Sequence, residues 1–554
     1  MKDKKFFLYL ILIILISLPA IKALIKPGFF QTHDGFWHLI RLNSFDQAIR
    51  DGQIPPRWAG DLNKNFGYPT FNFYYPLVYY LAEIPHLLGI PLGESLKIIM
   101  ALSFIASGIF MFLWARNHWG NFGGLVSAIF YTYVPYALIS IYVAGTLGVT
   151  LALAILPLIF LSFYLLFQKP TSKRVILTSF SLALLVLSHN VSSLMFAPLI
   201  AMYYFFLLWQ KKFNQYFFKK SLLAAFLAFC LSSFFLLPCL FELKFVRLKS
   251  QDIAQYYFYN FPTLRQIIYS PWGYGYGTAT SPMSLQIGLP HLCVALLALT
   301  ITLFFLKKTK LRILLAIFLF NFFLFFFLML KESKFLWDNI QLIQRFQFPS
   351  KLRAVSTFTA AFLAGFPATN YLPKNLKNQK TKKAILNIFY LFLIIFTLYA
   401  NRNHLRTGDP DRYTDEHVFR DFGFSTADTS SELMPIWVKK TEGFANEKIT
   451  ILDGEAKIDP KSIKSHQYLF TITAAQNSTF LVNTVYFPGW TVYANKKENP
   501  IKITDPGGLF SFQLPKGEHQ VLVKLKNTPV RIAGNLLTCA AIIFSFVYLK
   551  YAKD

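Results

Sequence analysis

Residues 6–25 read FFLYLILIILISLPAIKALI, an apolar run long enough to cross a membrane. A membrane-spanning helix needs about 20 predominantly apolar residues, and comparable runs recur as far as Leu549. The chain is 54% hydrophobic, 18% aromatic and only 15% charged, whereas soluble domains carry about 25% charged residues. The sequence therefore predicts an all-α polytopic membrane protein. Because the runs are continuous, they exclude a transmembrane barrel, whose strands would alternate apolar with polar residues.

The basic excess of the chain follows these apolar runs. The formal net charge is +28, and lysine and arginine cluster beside the runs near residues 2–5, 169–174, 211–220, 307–312, 374–383 and 550–553. Such clusters mark the cytoplasmic ends of membrane helices, so the charge indicates membrane topology and not nucleic-acid binding. The four cysteines fall within apolar runs, which argues against a disulfide framework or a zinc site.

Placing the basic clusters in the cytoplasm gives about twelve spans with both termini inside. They lie near residues 6–25, which we expect to be an uncleaved first helix, and 95–115, 121–140, 147–167, 174–189, 191–209, 221–241, 287–306, 311–330, 354–372, 384–400 and 531–549. The segment Asn72–Leu92 is apolar but interrupted by Pro76, Pro85 and Pro91. Counting it as a span would put later basic clusters outside, so we expect it to stay external or re-entrant.

These spans divide the chain into a membrane domain and an external one. Residues 1–400 form a transmembrane domain with external loops at 26–94 and 242–286, and residues 531–554 form the last span and a cytoplasmic tail. Residues 401–530 are predicted to be an extracytoplasmic β-sandwich, because short β-prone runs alternate there with turn residues. Whether this domain is a rigid lid or takes part in chemistry stays open. The predicted strands are Tyr468–Thr473, Thr479–Tyr486, Trp490–Ala494, Leu509–Leu514 and His519–Leu525.

The first external loop carries the densest set of ionisable residues. Residues 31–50 read QTHDGFWHLIRLNSFDQAIR, in which Asp34 can cap a helix running to about Arg50. His38 and Arg41 follow at spacings of four and three and share a face with Asp34. A cap alone would account for Asp34. However, the loop brings further carboxylate, imidazole and guanidinium groups to a place where a lipid headgroup could sit, namely His33, Arg57 and Asp61.

Other positions have structural explanations of equal or greater weight. His189 lies at the outer end of a predicted helix, where capping or packing is favoured over catalysis. Arg265 and Trp272 could bind a sugar, although an interfacial aromatic belt also explains the stretch Tyr256–Tyr276. Residues 347–353 are predicted to re-enter the membrane, with Lys351 near headgroups. The sequence contains no Walker loop or dinucleotide fingerprint, so no nucleotide cofactor is expected.

Several motifs resemble those of a known membrane family. They are T-H-D-G-x-x-H-L-x-R from Thr32, G-Q-I-P-P-R-W from Gly52 and G-Y-P-x-F-N-F-Y-Y-P from Gly67, joined by S-H-N at 188–190, S-P-W-G-Y-G at 270–275 and Q-F-P at 347–349. This set resembles the membrane proteins labelled 6-pyruvoyl-tetrahydropterin synthase-related. Residues 432–438 and 486–493 resemble the external domain of YfhO-like proteins. Nothing in the sequence resembles a soluble zinc-dependent pterin synthase.

That family is in turn similar to the GT-C glycosyltransferases, whose first external loop carries an essential acidic residue. The resemblance implies transfer of a sugar, with inversion, from a polyprenyl-phosphate donor to a cell-envelope glycan, lipid or protein on the outer face of the plasma membrane. It implies that Asp34 is the catalytic base. The candidates for stabilising the departing phosphate are His38, Arg41 and Arg57. Asp61 would hold one of these groups or a divalent cation, so a metal requirement stays open.

One departure from the family pattern leaves alternatives open. The resemblance implies a turn before the fourth span that reads roughly Y-x-R-G-x-x-x-E, but Ala144 and Val149 replace the arginine and glutamate here. Either the donor binds through first-loop groups such as Arg41 and Arg57, or the chain is a catalytically degenerate scaffold that binds envelope polymers. A lipid or polysaccharide transporter is a further alternative. It would place charged residues deep in several spans, whereas these runs are mostly Leu, Ile, Phe and Ala.

Overall fold

The computed structural model describes residues 2–249, 255–277, 281–306, 309–366, 379–407, 412–428, 431–440 and 443–552. It is mostly helical, with antiparallel sheets near the C-terminal end, which confirms the predicted fold class. The helices are α1 (Lys2–Ile25), α2 (Gly35–Arg50), α3 (Thr70–Phe73), α4 (Leu77–Leu87), α5 (Leu92–Thr132), α6 (Pro135–Tyr142), α7 (Leu147–Gln168), α8 (Ser172–Ser188), α9 (Asn190–Gln210), α10 (Gln215–Phe241), α11 (Gln255–Phe258), α12 (Leu264–Ile268), α13 (Leu289–Phe304), α14 (Thr309–Met329), α15 (Lys334–Asn339), α16 (Gln341–Gln344), α17 (Arg353–Ala364), α18 (Gln379–Asn401), α19 (Asp415–Phe422) and α20 (Pro529–Tyr551).

Within the described ranges, 8 helical segments are long and apolar enough to cross a membrane. They are Phe6–Ile25, Leu92–Thr132, Leu147–Gln168, Asn190–Gln210, Gln215–Phe245, Thr309–Met329, Ala384–Leu405 and Pro529–Tyr551. The spans predicted at 174–189 and 287–306 correspond to α8 and α13, of 17 and 16 residues. The span predicted at 354–372 begins on α17 and continues outside the described residues. A total of twelve therefore stays a prediction.

The 41-residue α5 contains two helices that meet at a reversal. Gly120 has φ 77° and ψ 175°, outside the helical region. A Cβ atom on Gly124 would lie 3.0 Å from the Cα atom of Arg116, so the chain doubles back at Gly120.

The helix predicted at 121–140 is wrong in one respect, because it is interrupted before Pro135. Proline disfavours helical geometry in the residue before it, and Val134 is extended at ψ 136°.

The segment between α1 and α5, which was predicted to be the first external loop and is called the first loop below, contains α2, α3 and α4. Helix α4 has 11 residues and is about 16 Å long, half of the roughly 30 Å hydrocarbon core. Its length agrees with the prediction that Asn72–Leu92 does not span the membrane. Two prolines lie where the apolar run is divided, since Pro76 immediately precedes α4 and Pro91 immediately precedes α5, whereas Pro85 lies inside α4.

The β-rich region contains two antiparallel sheets. The strands are β1 (Ile449–Asp453), β2 (Ala456–Lys464), β3 (Gln467–Ala474), β4 (Ser478–Val482), β5 (Trp490–Ala494), β6 (Lys497–Asn499), β7 (Lys502–Ile503), β8 (Phe510–Leu514) and β9 (Gly517–Leu525). One sheet has the order β1-β4-β8-β7 and the other β2-β3-β9-β5-β6. The predicted strands correspond to β3, β4, β5, β8 and β9. Aromatic rings connect the sheets, since Trp490 of β5 lies 6.1 Å from Phe510 of β8, centroid to centroid.

This β-rich region packs directly on the first external loop. The ring centroids of Trp58 and Trp490 are 5.5 Å apart, and the Val485 N–H donates to the Phe66 carbonyl at 2.9 Å. A buried ion pair joins α10 and α20. It is formed by Glu242, which follows α10, and Arg531 of α20, whose Oε2 and Nη2 atoms are 2.8 Å apart. The first loop is therefore held between the membrane helices and the sheets.

Candidate functional site

Asp34 occupies the N-cap position of α2 without capping the helix. Its carboxylate accepts no hydrogen bond from the first turn of α2, and Thr32 Oγ1 accepts from the Gly35 N–H instead, at 2.9 Å. The Asp34 N–H donates to the Ala144 carbonyl at 2.9 Å. The backbone of Asp34 is thus fixed, while its carboxylate is not used to cap α2 and can take part in chemistry. The predicted cap does not account for this residue.

The setting of Asp34 favours proton uptake. The side chain is half-buried, and burial raises its pKa above the ordinary carboxyl value of 3.8. The positive charges of Arg41, Lys351 and His33 oppose this shift without cancelling it. A carboxylate whose pKa is moved toward neutrality is a better general base than an ordinary surface aspartate.

Arg41 is a buried cation with unused hydrogen-bond donors. Only 4% of the residue is exposed, and its guanidinium carbon lies 3.9 Å from the centroid of the Tyr74 ring. One nitrogen, Nη2, donates to the Ala427 carbonyl. The other two, Nε and Nη1, are buried and have no partner. An unpaired buried guanidinium is unfavourable, and an incoming anionic oxygen would satisfy it.

His38 lies between Arg41 and a group of tyrosines. It is fully buried, and its Nδ1 lies 2.9 Å from the Tyr79 hydroxyl. Its ring also contacts Tyr74 and Tyr75. Burial and the nearby Arg41 charge hold the pKa of His38 well below its ordinary 6.5. The imidazole is therefore neutral, and it can offer a hydrogen bond but not a positive charge to a phosphate.

Lys351 is the functional candidate whose role the sequence did not reveal. It lies in the 3₁₀ turn Pro349–Leu352 before α17, and its Nζ donates to Gln347 Oε1 at 2.9 Å. Burial lowers its pKa to about 8, although the charges of Asp34 and Glu432 act in the opposite direction. The sequence placed Lys351 near lipid headgroups. The structure places its charge near Asp34, and no local pattern could show this because the two residues are far apart in the chain.

The turn before α7 contacts the segment that carries Asp34. The His33 N–H donates to the Val143 carbonyl at 3.0 Å, beside the bond between Asp34 and Ala144. Gly145 has a φ of 65°, and a Cβ atom there would lie 2.2 Å from Thr32 Oγ1. Ala144, which replaces the arginine that the resemblance implies, thus contacts the backbone of Asp34, and the charge of Lys351 acts on the Asp34 carboxylate.

Part of the segment 242–286, which was predicted to be the second external loop, packs against His33. The Nε2 atom of His33 lies 3.2 Å from the Tyr274 carbonyl oxygen, and its ring stacks on Tyr276 at 4.7 Å. Trp272 is connected to this contact because its Nε1 donates to the Tyr274 hydroxyl at 3.0 Å. Arg265, by contrast, is exposed on α12.

Arg57 and Asp61 engage other partners. Arg57 Nη2 donates to the Phe234 carbonyl at 2.6 Å and to Asn535 Oδ1 at 3.1 Å, so it bridges α10 and α20. Asp61 Oδ2 accepts from the Ser44 hydroxyl at 2.8 Å. Neither residue is among the groups whose charge acts on Asp34. The predicted convergence of the first loop therefore holds for His33, Asp34 and Arg41.

His189 caps α9. Its Nδ1 accepts from the Ser192 N–H at 3.1 Å, and its ring lies 5.3 Å from that of Tyr75. Burial, followed by the Lys351 charge, lowers its pKa to about 3. His189 is thus a neutral capping residue at the edge of the site.

The surroundings of Asp34 do not fit a divalent cation. In the part of the chain that the structure describes, no group of three or more His, Cys, Asp or Glu residues is arranged to hold a metal ion. Two of the charges acting on Asp34 are the permanent cation Arg41 and Lys351, which would repel a metal. The arrangement suits an anion instead.

Residues 71–274 match the model of a family described as 6-pyruvoyl-tetrahydropterin synthase related domain, membrane protein. The predicted family resemblance is confirmed. An uncharacterized protein of Lactococcus lactis subsp. cremoris (strain MG1363) is 27% identical over 246 residues, which are 43% of this chain and 40% of that protein. The match thus spans less than half of this relative's length.

Two solved structures are similar in fold to this chain. One is the arabinofuranosyltransferase AftD from Mycobacteria, with a TM-score of 0.45 and 12% identity over 73% of this chain and 27% of AftD. The other is the apo oligosaccharyltransferase of Archaeoglobus fulgidus, with a TM-score of 0.40 and 14% identity over 78% of this chain and 61% of that one.

The matched family domain supplies only part of the candidate site. It includes the tyrosines around Arg41, the turn at Ala144 and the contact made by Tyr274. Asp34 and Arg41 precede it, and Lys351 follows it. The site is therefore assembled from segments both inside and outside the matched residues 71–274.

Proposed function

We propose that this protein is an integral membrane glycosyltransferase that uses a polyprenyl-phosphate sugar donor and a cell-envelope acceptor. The observation that carries the proposal is the uncapped, half-buried Asp34 carboxylate, on which the positive charges of Arg41 and Lys351 act. The first-loop motif resembles the 6-pyruvoyl-tetrahydropterin synthase-related family, and the similarity of that family to the GT-C enzymes supplies the reaction class. In this proposal both termini are cytoplasmic, and residues 401–530 lie on the outer face of the plasma membrane.

The proposed reaction needs one base and one phosphate-binding group. Asp34 accepts the proton of the acceptor hydroxyl while that oxygen forms a bond to the anomeric carbon of the sugar. The bond from that carbon to the donor phosphate oxygen breaks, and the lipid phosphate leaves with the electron pair. Arg41 and Lys351 stabilise the negative charge that develops on this phosphate. No nucleotide or metal is required by these steps.

The position of Lys351 favours an active enzyme over a degenerate scaffold. The absence of the family arginine at Ala144 pointed toward the degenerate scaffold. A scaffold that had lost catalysis, however, would have no need for a cation near Asp34. Lys351 places a positive charge close enough to the carboxylate to oppose its pKa shift. We therefore assign to Lys351 the role that the resemblance gave to the missing arginine.

Mass spectrometry of cell-envelope glycans tests the proposal. Glycans from cells that carry the wild-type protein, the Asp34→Asn variant or no protein are compared. We expect one sugar to disappear in the second and third samples, and its linkage identifies donor and acceptor together. Identical glycans in all three samples would overturn the proposal.

A further inference from the structure

A basic cavity lies apart from Asp34, where the first loop, β9 and the start of α20 meet. Its volume is about 410 Å³, within the range of small-molecule sites. Its ionisable lining residues are Arg57, His466, Lys524, Lys526 and Arg531. Three separate segments of the chain, at residues 52–57, 466 and 524–532, thus bring ionisable residues to the lining of one space.

Arg57 and Arg531 are the buried members of this group, and Arg57 differs from Arg531 in its partners. It is 4% exposed and, within the described residues, makes no salt bridge with a carboxylate. Its Nη2 donates to Phe234 and Asn535, but its buried Nε has no partner. A second guanidinium, that of Arg531, is near enough to lower the pKa of Arg57, which burial and this charge bring to about 10. The Glu242 carboxylate also acts on Arg57 and opposes this lowering, but its ion pair is with Arg531. Arg57 therefore remains a cation at neutral pH and shares its nearest carboxylate with a second guanidinium.

The carboxylates around the cavity are already engaged. Glu242 accepts from Arg531 at 2.8 and 3.0 Å, and also from Thr528 and Asn72. Glu498 lies 3.5 Å from Lys526. Asp51 accepts from the Ser465 N–H at 2.6 Å. Two cations are paired in this way, whereas Arg57 and the half-buried Lys524 are left to act on a ligand.

The position of the cavity indicates where that ligand comes from. Arg531 and Ile532 belong to the first turns of α20, one of the helices able to cross a membrane. Two apolar residues of the lining are exposed, Ile54 by 76% and Ile532 by 48%. Cations beside exposed apolar side chains at the end of a span match the surface of a membrane, where anionic headgroups lie.

We propose that this cavity binds an anionic phosphate group through Arg57 and Lys524, at the level of the lipid headgroups. The phosphate of an acidic phospholipid is one source of this chemistry, and free phosphate anion is the other. The site is separate from the proposed transfer reaction, and its occupancy does not depend on that reaction.

The test measures thermal unfolding of the full-length protein in detergent. Short-chain phosphatidylglycerol, short-chain phosphatidylcholine and inorganic phosphate are titrated separately. We expect phosphatidylglycerol to raise the unfolding midpoint saturably and phosphatidylcholine to leave it unchanged, because the choline ammonium is repelled by the cavity. A saturable shift with inorganic phosphate that removes the phosphatidylglycerol effect would identify free phosphate as the source.

Two variants and a control make the test specific. In Lys524→Gln the apparent affinity should fall by about tenfold, as for the loss of one charged hydrogen bond. Arg57→Gln should show a larger loss, and Lys524→Gln decides alone if Arg57→Gln does not fold. The control is Lys457→Gln, an exposed lysine on β2 that should bind like wild type. Equal shifts with both lipids, or wild-type affinity in Lys524→Gln, would overturn the proposal.

Discussion

At the scale of single residues, the distinction between a structural and a chemical aspartate depends on one hydrogen bond. The sequence offered both interpretations of Asp34, because its position before α2 is the position of a cap. The structure gives the capping contact to Thr32 Oγ1, so the carboxylate is not needed for the helix. Helical spacing predicted that Asp34, His38 and Arg41 share one face. It could not predict the part played by Lys351, because only the tertiary fold brings Lys351 near Asp34.

Replacing Asp34 by asparagine separates chemistry from folding. We expect transfer to fall by about 10² to 10⁴, the usual contribution of a general base. Burial raises the pKa of Asp34, so the folded state disfavours the ionised form at neutral pH, and the neutral amide should leave the unfolding midpoint unchanged or higher. A lipid-linked sugar assay and a thermal melt measure the two effects, with the exposed Asp453→Asn as the matched control. Normal turnover in Asp34→Asn would end its assignment as base.

The protonation of Lys351 should set the alkaline limb of the pH profile of the transfer rate. Burial lowers its pKa to about 8, so its charge is present below that pH and is lost as pH rises through it. Activity should therefore decline above about pH 8, and Lys351→Arg should remove this limb because arginine stays protonated. The raised pKa of Asp34 sets the acidic limb above pH 3.8. Rate measurements from pH 4 to 10 check both limbs, and an unchanged alkaline limb in Lys351→Arg would exclude this role.

At the scale of elements, the sequence predicted the long apolar helices and the central strands well. It predicted the edge strands of the two sheets poorly. Strands β3, β4, β5, β8 and β9 show alternating or continuous burial, which the apolar pattern reveals. Strands β1 and β2 lie at the edges of their sheets, and β2 exposes most of its side chains and contains Pro460. An edge strand without one buried face lacks the alternation of apolar and polar residues by which a strand is identified in the sequence. The reversal at Gly120, by contrast, falls in the gap between the predicted spans 95–115 and 121–140, and it uses a backbone conformation that glycine permits.

The contact between the first loop and the turn before α7 predicts the effect of restoring the family residues. Because Lys351 already supplies a cation to Asp34, wild type should be active, and Ala144→Arg together with Val149→Glu should not be required for transfer. Val149 is buried, so the double variant should also unfold more easily. Donor hydrolysis and transfer are measured for wild type and the double variant. Activity found only in the double variant would establish the degenerate scaffold.

At the scale of the whole molecule, the segment that follows α19 completes the environment of Arg41. Its Ala427 carbonyl accepts from Arg41, and Asp428 Oδ2 accepts from the Tyr68 hydroxyl at 2.7 Å. Asn63 and Lys64 donate to the carbonyls of Ser425 and Phe424 at 2.8 Å. Residues 401–530 are thus more than a spacer, because they hold a buried cation of the candidate site. Sequence reasoning left this question open, since such contacts join segments that no local pattern connects.

Asp428 provides a test of this long-range support. Its Oδ1 accepts from the Ser431 N–H at 2.6 Å and from Thr426 Oγ1 at 2.9 Å, so the carboxylate shapes the turn that presents Ala427 to Arg41. In Asp428→Ala the Tyr68 hydroxyl and this turn lose their shared acceptor, which costs about 1–3 kcal/mol. We expect the KM for the lipid-linked donor to rise by about tenfold or more, because Arg41 is less firmly positioned, while the membrane helices remain folded by circular dichroism. Asp459→Ala, an exposed aspartate on β2, should behave like wild type. If Asp428→Ala keeps a normal KM although its unfolding midpoint falls, the β-rich region stabilises the molecule without shaping the donor site.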